Sequence, residues 1–162
     1  MKACKDNGVS RCVITASIAS VIYPTERPEG LYNETHWSDP NSPAISAYAK
    51  SKVLAEKAAW EYQASLSEEE RFEVVVIMPS KVLGPALRTE SSVSIDFCRK
   101  LLTGQMAALP YRCFPIVDVR DLAFAPLQAI KVPEARNRRF FCTTDPVWFK
   151  DLCFPVSEKF GP

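Results

Sequence analysis

Arg11-Cys-Val-Ile-Thr-Ala-Ser17-Ile-Ala-Ser-Val21 is an apolar, β-branched run that ends in small hydroxyl residues, and Phe72-Glu-Val-Val-Val-Ile-Met-Pro79 is a second run of the same kind. Apolar runs of this length, with no polar alternation, are the pattern of buried parallel strands. Parallel neighbours need a crossover, and the segment between the runs supplies one. Ser42 reads as an N-cap with Pro43 in the first helical turn, and the helix extends to about Ala64. Ala47, Val53, Leu54, Ala58 and Trp60 are its expected apolar contacts. Strand, helix and strand make a βαβ unit, and ligands of open α/β sheets sit at the C-terminal ends of the strands. Ser17 lies at such an end, with Ser20 three residues on as the alternative.

Tyr48-Ala-Lys-Ser-Lys52 lies on the crossover helix. Residues four apart leave the same helical face, so the phenol and the ammonium are neighbours. An ammonium beside a phenol favours the phenolate, which lets such a hydroxyl exchange a proton near neutral pH. The pair therefore reads as a general acid/base. The bland alternative is a half-buried tyrosine next to a solvated lysine. Glu56, four residues past Lys52, reads as a helix-surface partner.

At these residues the chain resembles the extended short-chain dehydrogenase/reductase family, in the branch that holds dihydroflavonol and cinnamoyl-CoA reductases. Thr15-Ala-Ser17 resembles that branch's strand end, and Asn33-Glu-Thr-His-Trp37-Ser-Asp39 its acidic-tryptophan loop. Tyr48 to Lys52, followed by Leu54-Ala-Glu56-Lys-Ala-Ala-Trp60, is similar to its catalytic helix. Pro79-Ser-Lys-Val82-Leu-Gly84-Pro85 and Val117-Asp118-Val-Arg120-Asp121-Leu-Ala123 follow two later blocks, so the likeness spans roughly residues 9 to 150. It implies that Ser17 polarises a substrate carbonyl, that Tyr48 donates the proton, and that Lys52 binds the nicotinamide ribose and assists Tyr48. It also implies that Pro79, Ser80 and Val82 line the nicotinamide, although the same segment reads equally well as a strand end and a turn. Trp37 then either packs in the core, the preferred reading, or meets substrate.

The fold implied is α/β: an incomplete Rossmann-like, doubly wound parallel sheet with part of a small C-terminal substrate lobe. The function implied is reduction of an aldehyde or ketone with NADP, NAD not being excluded. A sugar-nucleotide or sterol-type dehydrogenase or epimerase is the alternative within the family. Nucleotide folds of this kind open with a strand, a Gly-rich turn and a helix. The five glycines, at 8, 30, 84, 104 and 161, build no such turn. Residues 1–162 are therefore expected to be a single C-terminal portion of a reductase domain, beginning with the end of a helix capped by Asn7-Gly8 and leading into the middle strand of the sheet. A shortened chain could also be a non-catalytic relative that acts by association. The expected unpaired edge of the first strand favours self-association or pairing with a full-length relative.

Composition narrows the partners. A formal charge of +1 with 24% charged residues argues against a nucleic-acid or anionic-membrane binder. Arg136, Arg138 and Arg139 read as a solvated turn before Phe140. No long apolar span or leader-like segment is visible, so a cytoplasmic location is the expectation. Six cysteines without a CxxC pair, and one histidine, do not suggest zinc. Scattered through apolar segments, they read as reduced core cysteines.

The remaining stretches give coarse elements. Pro24 to Pro43 reads as a loop, Ser92 to Thr103 as an amphipathic helix through Val93, Phe97 and Leu101, and Phe114 to Val117 as a short strand. Asp118 to Ile130 reads as a helix whose regularity Pro126 puts in doubt, Arg139 to Thr143 as a last strand, and Trp148 to Lys159 as a closing helix interrupted by Pro155.

Overall fold

The run Val74 to Met78 becomes the central strand of the largest sheet. The computed structural model describes residues 1–26, 28–87, 93–106 and 111–160, with backbone alone at 93, 156, 157 and 160. In chain order the elements begin with α1 (Lys2–Asp6), β1 (Arg11–Thr15), α2 (Ala47–Ala64), β2 (Glu73–Pro79) and β3 (Lys81–Leu83). They continue with α3 (Val93–Leu102), β4 (Cys113–Phe114), β5 (Ile116–Asp118), α4 (Val119–Lys131), β6 (Arg138–Cys142), β7 (Val147–Trp148) and α5 (Phe149–Phe160). Two compact units result, Met1–Ser80 with Ala123–Cys142 and Lys81–Leu122 with Thr143–Pro162.

In the first unit β2 lies between β1 and β6, parallel to both, with Val13 opposite Val75 and Ile77 opposite Phe140. Side chains alternate faces along a strand. Val74, Val76 and Met78 enter a core with Ala16, Val21, Leu66 and Phe72, against which Trp60 and Tyr62 of α2 and Cys4 of α1 pack. Ile77 takes the other face, where Ala125 and Ala129 of α4 lie across an apolar cavity of about 260 Å³. Helices on both faces make the sheet doubly wound. Arg11 then ties three elements together. Its guanidinium pairs with Glu73 at 2.6 Å and donates to the carbonyls of Ala129, Ile130 and Val132 at 2.7, 3.1 and 2.8 Å, capping the end of α4.

Several expectations are corrected here. β1 has the unpaired edge expected of it, since only β2 pairs with it among the described residues, and the strand read as buried is half-buried. Helix α2 starts at Ala47, four residues later than Pro43. Its N-cap is Ser46, whose Oγ accepts from Ala49 N–H at 3.1 Å, while Ser42 closes the preceding turns. Its inward stripe is Ala49, Val53, Glu56, Ala59 and Gln63, and Ala47, Leu54 and Ala58 face solvent.

The second unit holds two small sheets, β3 parallel to β5 and β4 antiparallel to β7. Phe114 to Val117 is thus two strands rather than one, broken at Pro115, which has no N–H to give a ladder. The rings of Phe97, Phe114 and Phe149 meet edge to face at 5.4 to 5.9 Å. The Lys81 ammonium sits 4.2 Å from the Phe97 ring centroid, and burial pushes its pKa down. Gly84 has φ 130°, and a Cβ there would lie 2.8 Å from Val119 Cγ1, so the Leu-Gly-Pro turn requires glycine. α4 runs unbroken through Pro126, and α5 through Pro155, where an interruption was expected. The Ser92 start expected for α3, and the Val93 side chain of its stripe, lie outside the described residues. Among those residues no helix is long and apolar enough to cross a membrane.

Candidate active site

The backbone leaves β1 at Thr15 and stays extended at Ser17, which caps a 3-10 turn over Ile18–Ser20. Ser17 is buried, and its Oγ accepts from Ala19 N–H at 3.2 Å. With a lone pair engaged by the backbone, the hydroxyl proton remains available for another acceptor. Ser20 is fully buried and its Oγ has no partner. The turn packs against α2 and β2.

Tyr48 and Lys52 occupy the first two turns of α2, beside its buried stripe of Ala49, Val53 and Glu56. Tyr48 is 56% exposed, and the Lys52 ammonium lies 5.8 Å from its ring centroid. The two side chains are neighbours on the helix, Tyr48 exposed and Lys52 half-buried, and α2 packs against the turn that Ser17 caps. Pro79 and Ser80 end β2, where Ser80 N–H donates to the Cys142 carbonyl at 3.2 Å. Ser80 Oγ is buried without a partner, as a hydroxyl waiting for a ligand group would be. Val82 belongs to the second unit, on β3 opposite Val117. Lys52 and Ser80 suit the ribose and nicotinamide end of a dinucleotide. The sequence carries no Gly-x-Gly-x-x-Gly turn for its pyrophosphate. Among the described residues no cluster of metal-ligating side chains forms.

The loop from Ser17 to Tyr48 is held by groups that sequence reasoning missed. Arg139 lies on the expected last strand, β6, but its side chain, read with Arg136 and Arg138 as solvated, is only 9% exposed. Its Nε donates to Glu56 Oε1 at 2.6 Å, and its Nη1 donates to the carbonyls of Glu34 and His36 at 2.6 and 2.8 Å. Glu56, read as a surface partner, is therefore a buried anion. The guanidinium sits over half-buried Trp37, 3.7 Å from Cζ to ring centroid. Farther along the loop, Ser38 Oγ donates to the Ala19 carbonyl at 2.8 Å and accepts from Tyr23 N–H at 2.9 Å. The loop is thus pinned to β6, to α2 and to the turn beside Ser17. A glutamate and an arginine 83 residues apart carry no local signal of pairing. The acidic-tryptophan loop was the only visible hint.

Comparison with known proteins agrees with this fold. The profile of the NAD dependent epimerase/dehydratase family matches residues 1–141. Cinnamoyl-CoA reductase 1 of Petunia hybrida is 36% identical over 165 residues, covering all of this chain and 48% of the relative. Ketoreductase azaE of Aspergillus niger is 34% identical over 149 residues, covering 82% of this chain and 42% of the relative. The chain thus spans about half the length of these curated relatives. Among solved structures, yeast methylglyoxal/isovaleraldehyde reductase Gre2, complexed with NADPH, superposes with a TM-score of 0.84 at 26% identity, over 98% of this chain and 51% of that one. With a profile match over most of its length, and the fold and residue order of these reductases, the chain belongs to the NAD dependent epimerase/dehydratase family.

Proposed function

We propose that this chain carries the acid/base end of an NAD(P)H-dependent reductase acting on an aldehyde or ketone. The observation that carries the reading is the Tyr48–Lys52 pair, ammonium beside phenol, on a helix packed against the turn capped by Ser17. Ser17 donates its free hydroxyl proton to the substrate carbonyl oxygen, which stabilises charge as it develops there. Tyr48 gives its phenolic proton to the same oxygen. Lys52 stabilises the phenolate left behind and offers its remaining donors to ribose hydroxyls. When bound, a nicotinamide cofactor supplies the hydride for the carbonyl carbon. Pro79, Ser80 and Val82 are the further cofactor contacts. NADP is preferred to NAD because the yeast relative is complexed with NADPH.

Titration calorimetry of the whole chain with NADPH, alongside Lys52→Ala, Tyr48→Phe and Ser17→Ala, tests the assignment, followed by aldehyde reduction read from NADPH absorbance. Weaker NADPH binding in Lys52→Ala, with intact binding but turnover reduced by about 100-fold or more in Tyr48→Phe, is the expected pattern. Absence of NADPH binding at millimolar concentration would make this chain non-catalytic, with association as its remaining role.

A further inference from the structure

Ser38 is only 1% exposed and lies outside every helix and strand. Its Oγ donates to the Ala19 carbonyl at 2.8 Å and accepts from Tyr23 N–H at 2.9 Å, so the hydroxyl works in both directions. Its own N–H donates to the Ser20 carbonyl at 2.8 Å, and Asp39 N–H donates to the Tyr23 carbonyl at 2.8 Å. The Ala19–Ser20 peptide is thereby held at both ends. Its carbonyl takes the Ser38 proton, and its N–H donates to the Ser17 carbonyl at 3.0 Å. Ser17 meets the same turn a second time through its side chain, since Oγ accepts from Ala19 N–H at 3.2 Å. Rotation of the Ser17 side chain to another staggered position would break that contact. The turn therefore sets where the Ser17 hydroxyl points, and Ser38 sets the turn.

We propose that Ser38 is a positioning residue for carbonyl reduction, holding the Ser17 side chain in one rotamer through the Ala19–Ser20 peptide. The inference rests on the catalytic reading for the role of Ser17, and on the hydrogen bonds alone for the hold that Ser38 has on it. Removing the Ser38 hydroxyl leaves the Ala19 carbonyl and Tyr23 N–H without this partner, and the turn relaxes to pair them otherwise. Displacement of a reacting group by about 1 Å is enough to slow a reaction by about 100-fold. Ser38 thus acts on the reaction through Ser17.

Two readouts on the full chain test it. The first is the pair of Hα–Hβ couplings of Ser17, measured by NMR. The values of a single rotamer are expected in the parent chain, and averaged values in Ser38→Ala. Thr25→Ala removes the exposed bond to Asp39 in the same loop and is expected to leave the couplings unchanged. The second is turnover with NADPH and an aldehyde. Ser38→Ala should lower kcat by about tenfold with NADPH affinity unchanged, and should lower it no further in a Ser17→Ala background, because one residue acts through the other. Ser38→Thr keeps the hydroxyl and should retain both properties of the parent. Single-rotamer couplings in Ser38→Ala, or an equal loss of kcat in both backgrounds, would overturn the proposal. So would averaged couplings in the parent chain, which decide alone if Ser38→Ala does not fold. A parent chain that binds no NADPH defeats the catalytic reading only, and the couplings still show whether Ser38 holds Ser17.

Discussion

Asn137 is the non-glycine residue with positive φ among the described residues, at 55°. Its Oδ1 accepts from Gln63 Nε2 at 2.7 Å and from Val74 N–H at 3.1 Å, so one amide joins α2, β2 and the start of β6. Asparagine tolerates the left-handed region and alanine does not. Asn137→Ala is expected to lower the unfolding free energy by about 2 kcal/mol in urea titration, through strain and two lost acceptor contacts. Asn137→Gly relieves only the strain and should fall between. Asp118 gives a pH-dependent case. Its carboxylate accepts from Arg120 Nε at 2.8 Å, Nη2 at 2.6 Å and backbone N–H at 2.8 Å, and the guanidinium holds its pKa down at about 2. A folded-state pKa depressed from 3.8 stabilises the fold above that value, and the stabilisation is lost as pH falls through about 2. Arg120→Ala should raise the Asp118 titration midpoint toward the ordinary carboxylate range, read by carboxyl NMR shifts. The pair is exposed, so salt should weaken the effect.

At the level of elements, α2 shows how an inward stripe escapes apolar periodicity. Two of its five buried positions are Glu56 and Gln63, so counting hydrophobic residues points to Leu54 and Ala58 instead. What makes the polar stripe tolerable is distant. Arg139 neutralises Glu56, and the Phe72 carbonyl and Asn137 satisfy the Gln63 amide. Removing one partner strands a buried charge. Glu56→Ala or Arg139→Ala should therefore cost about 3–5 kcal/mol of stability, whereas replacing both with methionine should cost much less. A double-mutant cycle by denaturant unfolding measures the coupling. Loss of the pair should also loosen Glu34 to Trp37 and so disturb the route from Ser17 to Tyr48. The βαβ order, the end of α2, the span of α4 and the Asn7-Gly8 cap were legible from local pattern. The true start of α2 was not, because Ser42 and Ser46 both have the chemistry of a cap and only the fold of the 39–46 turns chooses between them.

Across the first unit, α4 presents Phe124, Leu127 and Ile130, each more than half exposed, on its side away from Ala125 and Ala129. Spacing of three residues sets them in one stripe. An apolar stripe of this kind favours association and dye binding. Leu127→Lys should change stability by less than about 0.5 kcal/mol while reducing dye fluorescence and light scattering. If stability fell by several kcal/mol instead, Leu127 would have to be a packing residue. The edge of β1, which no strand covers among the described residues, adds a second sticky feature, since unpaired ladder groups invite another strand.

The amino-acid sequence by itself determined the two apolar strands, the helix between them and the common face of Tyr48 and Lys52. Each of these follows from short-range sterics and from the 3.6-residue period of the helix. Residue order along the chain was likewise enough to indicate the family. Only the tertiary structure decided that β2 lies between β1 and β6, that Glu56 is buried, and that Arg139 pins the loop after Ser17. Those outcomes depend on which distant groups neutralise, cover or touch a side chain, and no local pattern encodes them.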